Sequence, residues 1–219
     1  MNSTEAEENL RVIRSLMEKA TIYRAISAPT ALAGGVASAL FGSWLYFHWR
    51  PLPQGIESAQ FGALFLSGWL AVLALTGVTN TYLLWSDARR RGDRFISVGM
   101  KHALLAMLPA MLCGAGLTGF FLWANRPFWL PPVWMLCYAL GLLATKGFAP
   151  RSIHFLGWAF FASGFAALGA LAVIDVWDVL GDGEAHVPTA ANLLMVATFG
   201  VFHLIYAACT WARGTGRTN

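Results

Sequence analysis

Residues 103–123 read ALLAMLPAMLCGAGLTGFFLW, a stretch without a single charged side chain. An α-helix rises about 1.5 Å per residue, so a stretch of this length crosses the hydrocarbon core of a bilayer, which is about 30 Å thick. Five further stretches share this length and apolar character: Ala28–Phe47, Phe61–Trp85, Pro132–Leu143 with its flanks, Phe155–Val176 and Ala191–Trp211. The sequence therefore predicts an all-α polytopic membrane protein, a bundle of six transmembrane helices.

The composition also indicates a chain surrounded by lipid. Hydrophobic residues make up 57% of the 219 residues and charged residues only 12%, and the mean hydropathy is +0.56. A water-soluble fold of this size needs more charge on its surface than 15 basic and 11 acidic side chains supply. Cys113, Cys137 and Cys209 lie inside the apolar stretches, where we expect packing residues rather than disulfides.

The placement of the basic residues predicts the orientation. If six helices alternate in direction, nearly all lysine and arginine residues fall on one side, including the run Arg89-Arg90-Arg91. The other side keeps only Arg50 and Arg126, with several acidic residues. Because basic loops stay in the cytoplasm, we expect both termini there, in a bacterial inner membrane. The basic loops would contact anionic lipid headgroups, and no nucleic-acid binding is expected, since no aromatic residues are interleaved with the charge.

One membrane domain accounts for nearly the whole chain. Residues 26–212 are predicted to form the six-helix transmembrane domain, and residues 213–219 a cytoplasmic tail. Residues 1–25 are predicted to form a cytoplasmic amphipathic helix, because apolar residues such as Leu10 and Ile13 recur at three- and four-residue steps. This helix would lie in the headgroup region, dock on a partner, or pack on the loops of the bundle.

Small residues recur at four-residue spacing in several apolar stretches. Such stripes let neighbouring helix backbones approach closely in a bilayer. They comprise Gly34, Ser38 and Gly42 in the first stretch and Ala115 and Gly119 in the third; the fifth stretch also carries three glycines, Gly157, Gly164 and Gly169, at wider spacing. Most tryptophan residues lie near helix ends, as in an aromatic belt, but Trp69 lies near the middle of the second stretch.

Polar side chains inside apolar helices are the best candidates for a functional site, because lipid offers them no hydrogen bonds. Asn80, His102, His203 and Tyr206 fall in the cytoplasmic third of the predicted helices, and we take them as candidate binding residues. The sequence lacks H-E-x-x-H, a phosphate-binding glycine loop and the G-x-S-x-G elbow, so no catalytic residue and no metal ligand is assigned.

Three interpretations of these polar residues stay open. In the first, Asn80 and His203 make interhelical hydrogen bonds, worth about 0.5–2 kcal/mol each, and bind nothing. In the second, Asn80, His203 and Tyr206 line a pocket or path for a small solute or protons. In the third, His102 and His203 ligate a b-type haem or a divalent metal. The sequence favours the first, without a cofactor.

The function predicted from the sequence is that of an integral membrane protein without catalytic activity. It would act as a membrane subunit or as an interaction or regulatory component, with a protein partner or a second copy of itself. The alternatives are a small-solute or proton transporter or channel with a polar pocket near His203, and a b-type haem-binding electron-transfer protein.

Overall fold

The computed structural model describes residues 7–13, 27–48, 56–92, 95–96, 98–147, 149–180 and 186–215. Its elements are α1 (Ala28–His48), α2 (Ile56–Arg91), α3 (Val98–Trp123), a 3-10 turn (Pro127–Trp129), α4 (Leu130–Ala144), α5 (Arg151–Leu180), α6 (Val187–Met195), a π-helical segment (Val196–Phe202) and α7 (His203–Thr215). Within these ranges 92% of the residues are helical and none lies in a β-strand.

Six helices in the described ranges are long and apolar enough to cross a membrane. They are Ala28–His48, Gly62–Arg90, Met100–Trp123, Pro127–Ala144, Arg151–Val176 and Val187–Trp211. The last one consists of α6, the π segment and α7, which follow one another without a break and together form the sixth helix. The predicted all-α class and the number of apolar helices are thus confirmed.

The predicted helix at residues 1–25 falls mostly outside the described residues. Residues 7–13 are helical and exposed, whereas residues 1–6 and 14–25 are not described. The amphipathic docking helix therefore stays a prediction. At the other end, α7 continues to Thr215, and the rest of the predicted tail is not described.

The helices pack in two groups of three. In one group, α1 lies between α2 and the sixth helix; in the other, α4 lies between α3 and α5. The groups meet where the sixth helix packs against α4 and α5. Each of the outermost helices, α2 and α3, consequently has only one face that is covered by other helices. The buried share of the apolar window is 6% in α3 and 17% in α2, against 50% in the fourth helix.

Glycine permits the close packing of α1 in the first group. A Cβ atom added to Gly34 would lie 2.8 Å from Cγ2 of Thr76 on α2, and one added to Gly42 would clash with Val196 of the sixth helix. A Cβ atom at Gly35 would lie 3.1 Å from the backbone oxygen of Gly200. The small-residue stripe of α1 is therefore occupied on both sides within the chain, as its spacing predicts.

Two hydrophobic clusters form the core. The first lies where α4, α5 and α7 meet. Its buried residues are Ala31, Met135, Ala139, Leu142, Ile153, Leu156, Phe160, Ala167, Tyr206 and Ala207. The second joins α1, α2 and α6 through Leu45, Phe65, Trp69, Ala191 and Met195. Of the candidate residues, Tyr206 belongs to the first cluster and His203 contacts Phe160 of the same cluster.

Candidate functional site

His203 occupies the junction between the π segment and α7, and both of its ring nitrogens are hydrogen-bonded. Nδ1 lies 3.0 Å from the backbone oxygen of Phe199, and Nε2 lies 3.0 Å from the hydroxyl oxygen of Tyr138. A carbonyl oxygen only accepts, so Nδ1 carries a proton and donates it to Phe199. In the neutral imidazole, Nε2 then accepts a hydrogen bond from Tyr138.

The π segment ends next to His203, and the backbone hydrogen bond of this residue departs from the regular pattern. In a regular α-helix this oxygen would accept from the backbone N–H of His203, four residues later. Here that N–H instead bonds to the oxygen of Gly200, and the side chain of His203 takes its place at Phe199. The contact with the Phe199 oxygen fixes the tautomer and the direction of the imidazole. Insertions of π-helix inside α-helices often occur at functional sites.

Aromatic rings from two helices, α5 and the sixth helix, enclose the hydrogen-bonded pair. The Phe199 ring stacks on the imidazole at an interplanar angle of 14°, with ring centroids 6.1 Å apart. Phe160 on α5 lies edge-on to Tyr138, with centroids 4.9 Å apart, and its centroid is 5.6 Å from that of His203. The polar atoms therefore face each other inside a closely packed aromatic cluster, which we call the Tyr138–His203 cluster.

Tyr206 belongs to the same region. It is 7% exposed and lies in the first hydrophobic cluster, against which Tyr138 packs. The sequence analysis identified His203 and Tyr206 but missed Tyr138. A tyrosine in the middle of an apolar stretch was the available signal, because a buried hydroxyl usually has a hydrogen-bond partner.

Asn80 makes a separate contact between α1 and α2. Its Oδ1 atom accepts a hydrogen bond from the hydroxyl of Thr30, at 3.1 Å, and the Thr30 hydroxyl is also 2.9 Å from that of Ser27. This is an interhelical hydrogen bond of the kind considered in the first interpretation of the sequence. The side-chain oxygen of Asn80 thus helps to hold α2 against α1.

His102 is exposed near the start of α3, whose packing partners are α4 and the 3-10 turn. His203 lies on α7, which packs on α1 and α5. Ligation of iron by His203 would require Nε2 to give up its bond to Tyr138, or Nδ1 its bond to Phe199. The arrangement of His203 therefore favours a hydrogen-bonding role over the haem or metal interpretation.

A second polar feature lies in the cluster between α1, α2 and α6. Nδ2 of Asn192 donates to the backbone oxygen of Gly42 at 2.8 Å, while its Oδ1 is buried without a hydrogen-bond partner among the described residues. Nε1 of Trp69 is likewise buried without a described partner. Both side chains adjoin Gly42, since a Cβ atom there would lie 3.3 Å from Cζ2 of Trp69. Sequence analysis noted Trp69 as an exception and missed Asn192.

Asp175 near the end of α5 has a basic partner. Oδ1 of Asp175 lies 3.3 Å from Nη1 of Arg126, an ion pair between α5 and the connection from α3 to α4. Within the described ranges, no group of three or more histidine, cysteine, aspartate and glutamate side chains is placed to hold a metal ion.

Comparison of the chain with protein-family models, with curated proteins and with solved structures found no match. Function is therefore inferred from the packing and chemistry of the residues themselves.

Proposed function

We propose that this protein is a non-catalytic membrane subunit that assembles with a second copy of itself through α3. The observation that carries the proposal is the open small-residue face of this helix. Ala115, Gly116 and Gly119 are exposed, and a Cβ atom added to either glycine would meet no atom within 4 Å. Together with Leu108 and Leu112, which are also exposed, these residues form the α3 outer face.

The α3 outer face is distinct from the face that packs inside the chain. Gly114 lies against Cys137 of α4, and the hydroxyl of Thr118 accepts a hydrogen bond from Nε1 of Trp134 at 2.9 Å. At about 100° per residue, Gly116 and Gly119 point at least about 100° away from both Gly114 and Thr118, and Ala115 lies at the border between the two faces. Thus α3 has one face used by α4 and another with no neighbour in the described part of the chain.

The comparison with α1 supports assembly through this face. Both helices carry small residues at four-residue spacing, and in α1 the stripe is filled by Thr76 and Val196. Helices in lipid gain little from hydrophobic burial and associate instead through close van der Waals packing, for which small residues are the main device. A two-fold axis along the membrane normal would place the small residues of two α3 helices opposite each other.

The proposal includes insertion in a bacterial inner membrane with both termini in the cytoplasm. Six long apolar helices and the concentration of lysine and arginine on alternate connections support this orientation. Reporter fusions at the two termini should both give cytoplasmic signals, and extraction should require detergent. Reporters in opposite compartments, or a protein that stays monodisperse without detergent, would rule it out.

The assembly is tested by measuring the number of copies per particle in lipid vesicles at increasing dilution. We expect dimers for the unmodified protein, and monomers for Gly116→Leu and Gly119→Leu, because the added side chains keep the helices apart. Gly169→Leu provides a matched control, since this glycine on α5 is also exposed with nothing within 4 Å. Monomers at every dilution, or equal loss of dimer in Gly169→Leu, would contradict the proposal.

A second candidate function is transport of protons or a small solute past His203. It is favoured by the π segment and by the buried hydrogen bond to Tyr138, which is a possible relay between two titratable groups. Purified protein in vesicles would then acidify the lumen under a potential, and Tyr138→Phe and His203→Gln would abolish the flux. If the unmodified protein passes neither protons nor solutes, this candidate is eliminated. A visible spectrum without a Soret band would likewise eliminate the haem alternative.

A further inference from the structure

Two buried polar groups at the second hydrophobic cluster have no hydrogen-bond partner among the described residues. They are Nε1 of Trp69 on α2, which is 3% exposed, and Oδ1 of Asn192 on α6, which is 1% exposed. Phe41 and Phe65 pack against the indole, with ring centroids 5.3 Å and 6.4 Å away, and offer no nitrogen or oxygen acceptor. Because an unpaired polar group inside a protein costs free energy, most such groups bond to the protein or to an ordered water.

Both side chains lie against Gly42 of α1. Nδ2 of Asn192 donates to the backbone oxygen of Gly42 at 2.8 Å. Since this oxygen only accepts, Nδ2 must face it, and Oδ1, on the other branch of the amide, points elsewhere. A Cβ atom on Gly42 would lie 3.3 Å from Cζ2 of Trp69 and 3.5 Å from its Cη2. Nε1 is bonded to the same ring carbon as Cζ2, so the indole N–H lies on the ring edge next to α1.

The two unpaired groups also lie at the same depth in the bundle. Gly42 lies six residues before the end of the first apolar helix, Trp69 seven residues after the start of the second, and Asn192 five residues after the start of the sixth. In a chain that crosses a bilayer with each of these helices, the three helix ends lie on one side. At about 1.5 Å per residue, the groups are about 8–11 Å from that side, so a small neutral molecule has about two helical turns to pass.

We propose that Trp69 and Asn192 bind a buried water molecule where α1, α2 and α6 meet. An indole N–H only donates and an amide oxygen only accepts, so the ligand must accept from Trp69 and donate to Asn192. A hydroxyl group does both. The indole N–H disfavours a cation and the amide oxygen disfavours an anion, whereas a buried water is neutral and bonds to two to four polar groups. The water thus pairs two groups that the protein leaves unpaired.

The test is NMR magnetisation transfer from water protons to the indole N–H groups of the full-length protein, with isotope-labelled tryptophan, in lipid nanodiscs. Trp69→Phe identifies the Trp69 signal by its loss. We expect direct transfer from a bound water to the Trp69 proton. Trp134 is the matched control, because it packs against the same cluster but donates its N–H to the hydroxyl of Thr118 at 2.9 Å. Its proton should show no such transfer.

Asn192→Leu removes the acceptor at similar volume and should abolish the transfer to Trp69, while an unchanged Trp134 signal shows that the fold is kept. A crystal structure should show a density peak about 2.7–3.2 Å from Nε1 and about 2.5–3.0 Å from Oδ1. No transfer to Trp69 in the unmodified protein, equal transfer to Trp134, or undiminished transfer in folded Asn192→Leu would overturn the proposal. So would a direct contact between Nε1 and Oδ1 in the crystal. If Asn192→Leu does not fold, the comparison of Trp69 with Trp134 in the unmodified protein decides.

Discussion

The hydroxyl of Tyr138 lies 3.0 Å from Nε2 of His203, and the two residues are 65 positions apart in the chain. This hydrogen bond ties α4 to α7 in a region where the surrounding side chains are mostly aromatic. The Phe199 oxygen accepts a hydrogen bond from Nδ1 of His203, which leaves Nε2 to face Tyr138. The polar groups of this region are therefore paired with each other.

Tyr138→Phe should lower the free energy of unfolding by about 0.5–2 kcal/mol, the range for interhelical hydrogen bonds in membrane bundles. The ring and its contact with Phe160 are kept, so the loss reports the hydroxyl and the unpaired Nε2 of His203. Unfolding in mixed micelles with increasing dodecyl sulfate measures the change. In a double-mutant cycle with His203→Phe, the two losses should not add; simple additivity would show that the pair is not coupled.

Gly42→Ala should destabilise the fold by about 1–3 kcal/mol, because the added methyl group clashes with Val196, whose β-branched side chain has little rotamer freedom. Gly169→Ala is the control, since nothing lies within 4 Å of the added Cβ atom. There the gain in helix propensity should stabilise the protein by up to about 1 kcal/mol. Equal effects of the two substitutions on unfolding would mean that α1 and the sixth helix are not packed closely at Gly42.

Asn192→Leu should lower the free energy of unfolding by less than about 1 kcal/mol. The substitution removes the hydrogen bond to the Gly42 oxygen, but it also removes the buried Oδ1 atom, which has no described partner. Asn192→Asp has nearly the same shape but places a carboxyl group against the Gly42 oxygen, which can only accept. We expect it to cost several kcal/mol or to prevent folding. The yield of monodisperse protein and its melting temperature test whether the leucine variant is more stable than the aspartate variant. A more stable aspartate variant would indicate a donor beside Oδ1.

Arg126→Gln should change stability by less than about 1 kcal/mol, since exposed ion pairs contribute little. The side chains of Arg126 and Asp175 are 59% and 32% exposed, and their charged atoms are 3.3 Å apart. The small effect should vanish in high salt, which screens exposed charges. Asp175→Asn serves as the reciprocal variant. A loss of several kcal/mol that persists in high salt would show that the pair is shielded from solvent.

Helix number and helix positions were predictable because each depends on local composition. A stretch such as Ala103–Trp123 is apolar over its whole length, and the corresponding helix, α3, ends at the predicted residue. Part of the candidate site was also predictable, since a polar group in an apolar stretch is recognisable by itself. His203 and Asn80 were found in this way, and both make hydrogen bonds to another helix.

The hydrogen-bond partners were not predictable in the same way. Thr30, Tyr138 and Asn192 lie in apolar stretches whose hydrophobic pattern has no preferred face, because lipid accepts apolar residues all round a helix. Without such a face, the rotation of each helix about its axis is not encoded in the periodicity. The close approach of Gly114 on α3 to Cys137 on α4 depends on that rotation.

By itself, the sequence determined that six helices form and where they lie along the chain, because length and hydrophobicity are local properties. Only the tertiary structure decided that the stripe at Gly34 and Gly42 is filled while the one at Ala115 and Gly119 stays open. It also decided that Tyr138 reaches His203. The physical reason is that helix rotation and crossing are set by the combined packing of many side chains, which no single stretch contains.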